Sequence, residues 1–360
     1  MSVDGSRGLE FIDSNMGKKP LFLCTISYTG TSEIPGLTLA GSNPEVVKFT
    51  PAADAELLYY RQCKSIPGVP ATPDGVPTPA LITLSALKLA TIPFFILDAG
   101  SAVKPRAPYI SVGLQSLAKN ITTGHAMELK DVKQVFEYAK LLGRNLSYLC
   151  DYLVLGESIP AGTTTASAVL SALGIDARGK VSSSMTDNPH QLKDHVVEQS
   201  LKAARISIDK LTADPLLAIS KVGDPMIATV AGLVIGAAGK APIILAGGTQ
   251  MTAVAAVVSI LDARALENVV LSTTPYVTED PKSDLSWLLK QSGDIPVLAA
   301  DPGLARSSII GLQPYGKGLV KEGVGAGGSC LASMLRSSGK ITTTDILNEV
   351  ERSYHEIIGT

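Results

Sequence analysis

A chain of 360 residues, 45% of them hydrophobic, is long enough to bury a sizeable core and too apolar to be disordered. A formal net charge of −2 and the absence of a Lys/Arg cluster argue against a nucleic-acid surface. The four cysteines (Cys24, Cys63, Cys150, Cys330) form no C-x-x-C pair and the four histidines (His125, His190, His195, His355) no H-x-x-x-H, so no metal site is expected and the thiols read as free in a reducing compartment.

The N-terminal stretch MSVDGSRGLEFIDSNMGKK carries acids and no apolar core, so it does not read as a signal peptide. Pro20–Ile26 is a buried strand, and Thr29–Gly36 a loop that faces a ligand or simply turns. A helix with Leu57, Leu58 and Tyr60 follows. The five prolines of Pro67–Pro79 make that segment a strap or a lid. From Ala80 a βα alternation sets in: helix Ala80–Ala90, then strand Pro93–Asp98, whose Asp98 stands at the carboxyl edge of a sheet or caps the next loop. A long helix runs from Glu128 to about Leu142, with Val132, Val135, Phe136, Ala139 and Leu142 at helical spacing.

The strand Tyr152–Leu155 breaks at Gly156-Glu157, and after Pro160 and Gly162 the run Thr163-Thr164-Thr165 opens an Ala/Leu-rich helix. Strand, glycine loop and helix N-terminus in that order aim backbone N–H groups and the positive end of a helix dipole at the sheet edge, where anions bind. Neither a Walker A nor a G-x-G-x-x-G spacing is present, so spacing alone leaves a phosphate loop and a structural turn both open. A helix from about Gln191 to Ile206 carries Lys193 in its first turn, where a cation does not help the dipole; a nearby ligand phosphate would account for it, and so would chance.

Met226–Gly247 is apolar, but Lys240 and Pro242 interrupt it, so a buried helix and then a buried strand are expected rather than a membrane span. The strand ends in Gly247-Gly248-Thr249, a second candidate ligand edge around Gly248. Strands at Val269–Ser272 and Val297–Ala300 follow, with a helix between them. Glu322 then stands among Gly323, Gly325, Gly327 and Gly328. Glycines this dense let backbone approach a ligand, and a Glu desolvated there would gain the raised pKa of a usable base; a solvated Glu on a flexible loop is the bland alternative. A last amphipathic helix spans roughly Thr344–Ile358.

Strands alternating with helices define an α/β fold, a doubly wound, mostly parallel Rossmann-like sheet. Residues 80–335 are expected to form its core, and 1–79 with 336–360 a smaller helical subdomain that caps it or dimerises. A cytoplasmic location is expected.

Three stretches in order resemble the nicotinate-nucleotide–dimethylbenzimidazole phosphoribosyltransferases. Gly156-Glu157…Gly162-Thr163-Thr164-Thr165 is similar to that family's GEMGIGNTT-type loop, Gly223–Gly232 to its GG-x-E-I-A-A-L-A-G helix, and Lys321–Gly327 to its GEGSGAA-type segment. Leu97-Asp-Ala-Gly and Gly124-His-Ala-Met echo its V-D-x-G and G-P-A-M. The resemblance covers roughly residues 93–335. The family's K-P-x-G-S-L-G-x-L-E segment, part of its base pocket, is missing, and its L-D-G turn stands here as Ala246-Gly-Gly.

The resemblance implies a parallel six-stranded sheet, a homodimer, and transfer of the 5-phosphoribosyl group of nicotinate mononucleotide to a nitrogen base, without cofactor or metal. It implies Glu322 as the catalytic base, Glu157 at the ribose and the transition state, and Gly162, Thr163, Thr164 and Lys193 on the phosphate. Gly323, Gly325, Gly248 and Asp98 would form the surrounding active-site loops. A phosphoribosyltransferase or nucleosidase using a different base, such as adenine or a phenolic acceptor, and a nucleotide sensor without catalysis stay open as alternatives.

Overall fold

A computed structural model describes residues 2–3, 5–114 and 116–359. Eight strands form one sheet: β1 (Ser2–Val3), β2 (Pro20–Ile26), β3 (Phe94–Asp98), β4 (Ile110–Ser111), β5 (Tyr152–Ser158), β6 (Ile243–Ala246), β7 (Val269–Thr273) and β8 (Val297–Ala299). Their order is β1-β8-β7-β6-β5-β2-β3-β4. Every pairing from β4 to β8 is parallel, and β1 joins β8 antiparallel. The expected mostly parallel α/β sheet is therefore present, with seven parallel strands where the resemblance implied six.

Central parallel strands are covered on both faces and so read as continuous apolar runs. All seven residues of β2 and all seven of β5 are buried. Alternate residues feed two cores. Leu21, Leu23, Leu153, Leu155 and Leu245 point to one face, beneath helices that include Leu129–Leu146, Gly162–Ala172 and Pro225–Ala237. Phe22, Cys24, Val154, Ile244 and Val270 point to the other, beneath Thr50–Tyr60, Ala80–Ala90, Ala326–Arg336 and Thr343–Ile357. Each large side chain buried this way contributes about 1.5–3 kcal/mol.

The segments expected in a smaller subdomain join this architecture in two ways. Their helices do gather on one face, but residues 1–79 also supply β2, paired with β3 on one side and β5 on the other. A run buried on both faces requires such a central place, and a cap cannot provide it. No helix among the described residues is long and apolar enough to cross a membrane.

The winding creates the crevice that the site occupies. From β2 the chain builds β3 and β4 on one flank, then returns with β5 to the other. The connections leaving β2 and β5 diverge there, and the carboxyl ends of the strands open a cleft at such a switch point.

Candidate active site

β5 extends further than its apolar run suggests, through Gly156 and Glu157 to Ser158, in register with Cys24, Thr25 and Ile26 of β2. Glu157 is therefore the penultimate residue of a central strand rather than part of a loop. Beyond it Ala161 adopts a left-handed φ of 63° and the helix Gly162–Ala172 begins. The loop carrying Glu322 lies across this strand end: the Val324 N–H donates to the Glu157 carbonyl at 2.9 Å. The crossing works because both chains are glycine at the point of contact. A Cβ on Gly156 would stand 3.2 Å from the Gly325 Cα, and Gly325 also needs its φ of 72°.

Two carboxyls meet in this crossing. Glu322 accepts from the Thr274 N–H at 2.9 Å, the Thr273 hydroxyl at 3.1 Å and the Gly323 and Gly327 N–H groups at 3.2 Å. Burial pushes it up to about 7, and those four donors pull the other way. Glu157 accepts from the Gln250 side-chain amide and from the Ile159 N–H at 3.1 Å. Burial raises it to about 8, Gln250 and Ile159 oppose that, and the nearby Glu322 and Asp224 carboxyls add to it. Both carboxyls are thus held above the usual carboxylate range by burial, and the Glu322 charge raises Glu157 further.

A cleft of about 950 Å³, counting its solvent mouth, opens over both acids, within the size range of small-ligand sites. Gly162 and Thr163 at the helix start, Ser182–Ser184, Gly248, Glu322 and Gly323 line it. So do apolar groups from Leu37, Val76, Pro77, Pro79, Ile159 and Val324. The proline-rich segment is thus part of the cleft wall, fixed by the Tyr315 hydroxyl, which donates to the Pro77 carbonyl at 2.6 Å.

Four predicted site residues stand elsewhere. Asp98 faces away from the cleft: its carboxylate takes the Gly100 and Ser101 N–H groups at 3.0 and 2.8 Å and the Lys104 ammonium, so it fastens the loop after β3. Thr164 is fully buried within its helix. Lys193 is also fully buried, one layer behind the lining, and donates to the Ser182 carbonyl at 2.6 Å. Desolvation, with help from Lys321, lowers it to about 7. Gly325 packs against Gly156 rather than bordering the cleft, and the Glu322 loop depends on it for its path.

Residues 85–275 match the profile of a family described as phosphoribosyltransferase. The chain belongs to this phosphoribosyltransferase family. It is 48% identical over 338 residues to a UPF0284 protein of Archaeoglobus fulgidus, covering 94% of each chain. A UPF0284 protein of Methanopyrus kandleri is 42% identical, over 94% of this chain and 88% of that one. Among solved structures, the nicotinate-nucleotide–dimethylbenzimidazole phosphoribosyltransferase of Thermus thermophilus superposes with a TM-score of 0.65 at 16% identity, over 96% of this chain and 91% of that one. The resemblance drawn from the glycine–acid motifs is thus borne out for family and fold.

The cleft also contains groups without any local sequence signal. Asp54, on helix Thr50–Tyr60, is a third carboxyl on the lining. It takes the Thr78 hydroxyl at 2.8 Å and the Ser158 hydroxyl at 2.7 Å, and burial raises it to about 7. Gln250, which holds Glu157, opens the helix after Gly247-Gly248. Lys321 lines the cleft beside Glu322, but its ammonium is engaged by Asp280 at 2.9 Å and by the Met185 carbonyl. Among the described residues no cluster of His, Cys, Asp and Glu could hold a metal ion. All four cysteines are free.

These carboxyls make stability depend on pH in a direction opposite to ordinary ion-paired acids. Glu157, Asp54, Glu322 and Asp224, raised to about 8, 7, 7 and 6, bind protons in the folded state that the unfolded chain has already lost. Their contribution is full below the usual carboxyl range and disappears as pH rises through 6 to 8. Lys193, lowered to about 7, opposes this only above its own pKa. The unliganded phosphoribosyltransferase is therefore expected to melt several degrees higher at pH 5.5 than at pH 7.5, with the gap narrowed in Glu157→Gln. A melting temperature that climbs between those values in calorimetry contradicts the assignment.

Proposed function

We propose that the protein moves the 5-phosphoribosyl group of nicotinate mononucleotide to a ring nitrogen of a heteroaromatic base, releasing nicotinate. The observation that carries this is the convergence of Glu157 and Glu322, from two distant glycine motifs, over one cleft beside a helix N-terminus. The product class would be the base ribotide used as the lower ligand of cobalamin, and the family resemblance favours a homodimer.

The bond from ribose C1 to the pyridinium nitrogen breaks, and its electron pair neutralises the departing nicotinate ring. Positive charge builds on C1 and the ring oxygen, so the protein mainly positions reactants and supplies negative charge nearby. Glu322 would remove the proton from one ring nitrogen of the incoming base while the other attacks C1 from the opposite face, inverting the anomeric centre. Glu157, neutral in the free protein, would lose its proton when the pyridinium cation binds and would then hold ribose hydroxyls. The helix start at Gly162 and Thr163, with Ser182–Ser184 held from behind by Lys193, is the region suited to the 5′-phosphate. The leaving group carries its own positive charge, so no metal is needed to activate it.

Incubating the protein with nicotinate mononucleotide and a panel of bases, and following nicotinate by chromatography, tests the reading. Release that requires a base is the expected result. Release without a base would indicate a hydrolase, and none at all would favour a nucleotide sensor.

A further inference from the structure

Asp54 is the one carboxyl on the cleft that neither glycine motif accounts for. It is 2% exposed, on the wall formed by the proline-rich segment, and its neighbours there are mostly apolar. The Thr78 and Ser158 hydroxyls occupy two of the roughly four lone-pair sites of a carboxylate. The residue is itself among those that line the cleft. Its place relative to the proposed chemistry follows from two contacts: the Thr78 hydroxyl donates to Asp54, and the adjoining Pro79 lies where a Cβ on Gly323, next to Glu322, would meet it at 3.2 Å. Asp54 and Glu322 are thus held on one wall, joined through Thr78 and Pro79.

A buried carboxyl with unused acceptor capacity is costly against a hydrocarbon surface and favourable against a donor. We propose that Asp54 selects the acceptor base, favouring a heteroaromatic ring that carries a hydroxyl or amino donor on the edge away from its attacking nitrogen over one that carries only methyl groups there. This inference rests on the transferase reading and names its acceptor class. Sites built around a substrate donor reject analogues lacking it far more strongly than apolar pockets reject a changed methyl.

The test compares 5-hydroxybenzimidazole and 5-aminobenzimidazole with 5,6-dimethylbenzimidazole as acceptors for wild type, Asp54→Ala and Asp54→Asn. Wild type is expected to show kcat/KM at least tenfold higher with the donor-bearing bases. Asp54→Ala should bring that ratio close to one by lowering their turnover much more than that of the dimethyl base. Asp54→Asn, which still accepts a hydrogen bond and preserves the packing, should keep part of the ratio. A merely structural Asp54 would depress all three bases alike, and that result, or a wild-type preference for the dimethyl base, overturns the proposal. If no base releases nicotinate, the transferase reading falls by itself. The thermal shifts given by the same bases then decide the role of Asp54: a larger shift from the hydroxyl base, lost in Asp54→Ala, upholds it, and equal shifts overturn it.

Discussion

Glu322→Gln is expected to lower kcat by about 10³-fold, within the range that a positioned general base contributes, while nicotinate mononucleotide still binds with similar affinity. The pH profile should change with it. In wild type, kcat/KM should rise with pH through about 7, where Glu322 loses its proton, and then level off. The variant should lack that limb. Gln presents an amide N–H₂ to a site where three of the four partners, the N–H groups of Thr274, Gly323 and Gly327, can only donate, so a stability loss of about 1–3 kcal/mol accompanies the substitution. Assays well below the melting temperature, with binding measured by calorimetry, separate the two effects. Turnover near the wild-type level with the same pH limb would remove Glu322 from the chemistry.

Neither glycine motif by itself locates the crossing where Glu157 and Glu322 meet. Both carboxyls stand beside glycines that let two backbones cross, and glycine density is visible in a sequence, so both were legible. The strands were legible for a related reason: a parallel strand covered on both faces leaves an unbroken apolar run, as in Pro20–Ile26 and Tyr152–Leu155.

What the sequence hid is direction and neighbourhood. β2 pairs with β3 and β5, strands more than sixty residues away, so nothing local distinguished a central strand from one in a cap. Asp98 ends a strand as Glu157 nearly does, but β3 lies one strand to the side of the crevice and its carboxyl turns to its own loop. Lys193 points to a carbonyl rather than into the cleft, which spacing cannot reveal. Asp54 sits in a helix without glycines, and only the folding of the proline-rich segment over it makes it part of the site.

Gly327→Ala is expected to destabilise the protein by about 3 kcal/mol, the upper part of the range for overpacking, and to reduce kcat more than tenfold. The helix Ala326–Arg336 starts directly over the end of β7, and a Cβ on Gly327 would stand 2.0 Å from the Thr273 carbonyl carbon and 2.3 Å from its oxygen. Neither partner is a flexible side-chain tip, so the helix start or the strand end must move by more than 1 Å to restore ordinary contact. The gain of about 1 kcal/mol that alanine brings to a helix interior does not offset this. The same displacement reaches the chemistry, because Gly327 and Thr274 donate their N–H groups to Glu322 from the two sides of this contact. Pulling them apart loosens the carboxyl proposed to deprotonate the base, and a shift near 1 Å at a reacting group costs about a hundredfold in rate. Thermal unfolding and turnover at 15 °C measure the two consequences separately. A melting temperature within a degree of wild type would mean that the helix does not rest on β7 as closely as these distances require, and the backbone cradle assigned to Glu322 would lose its support.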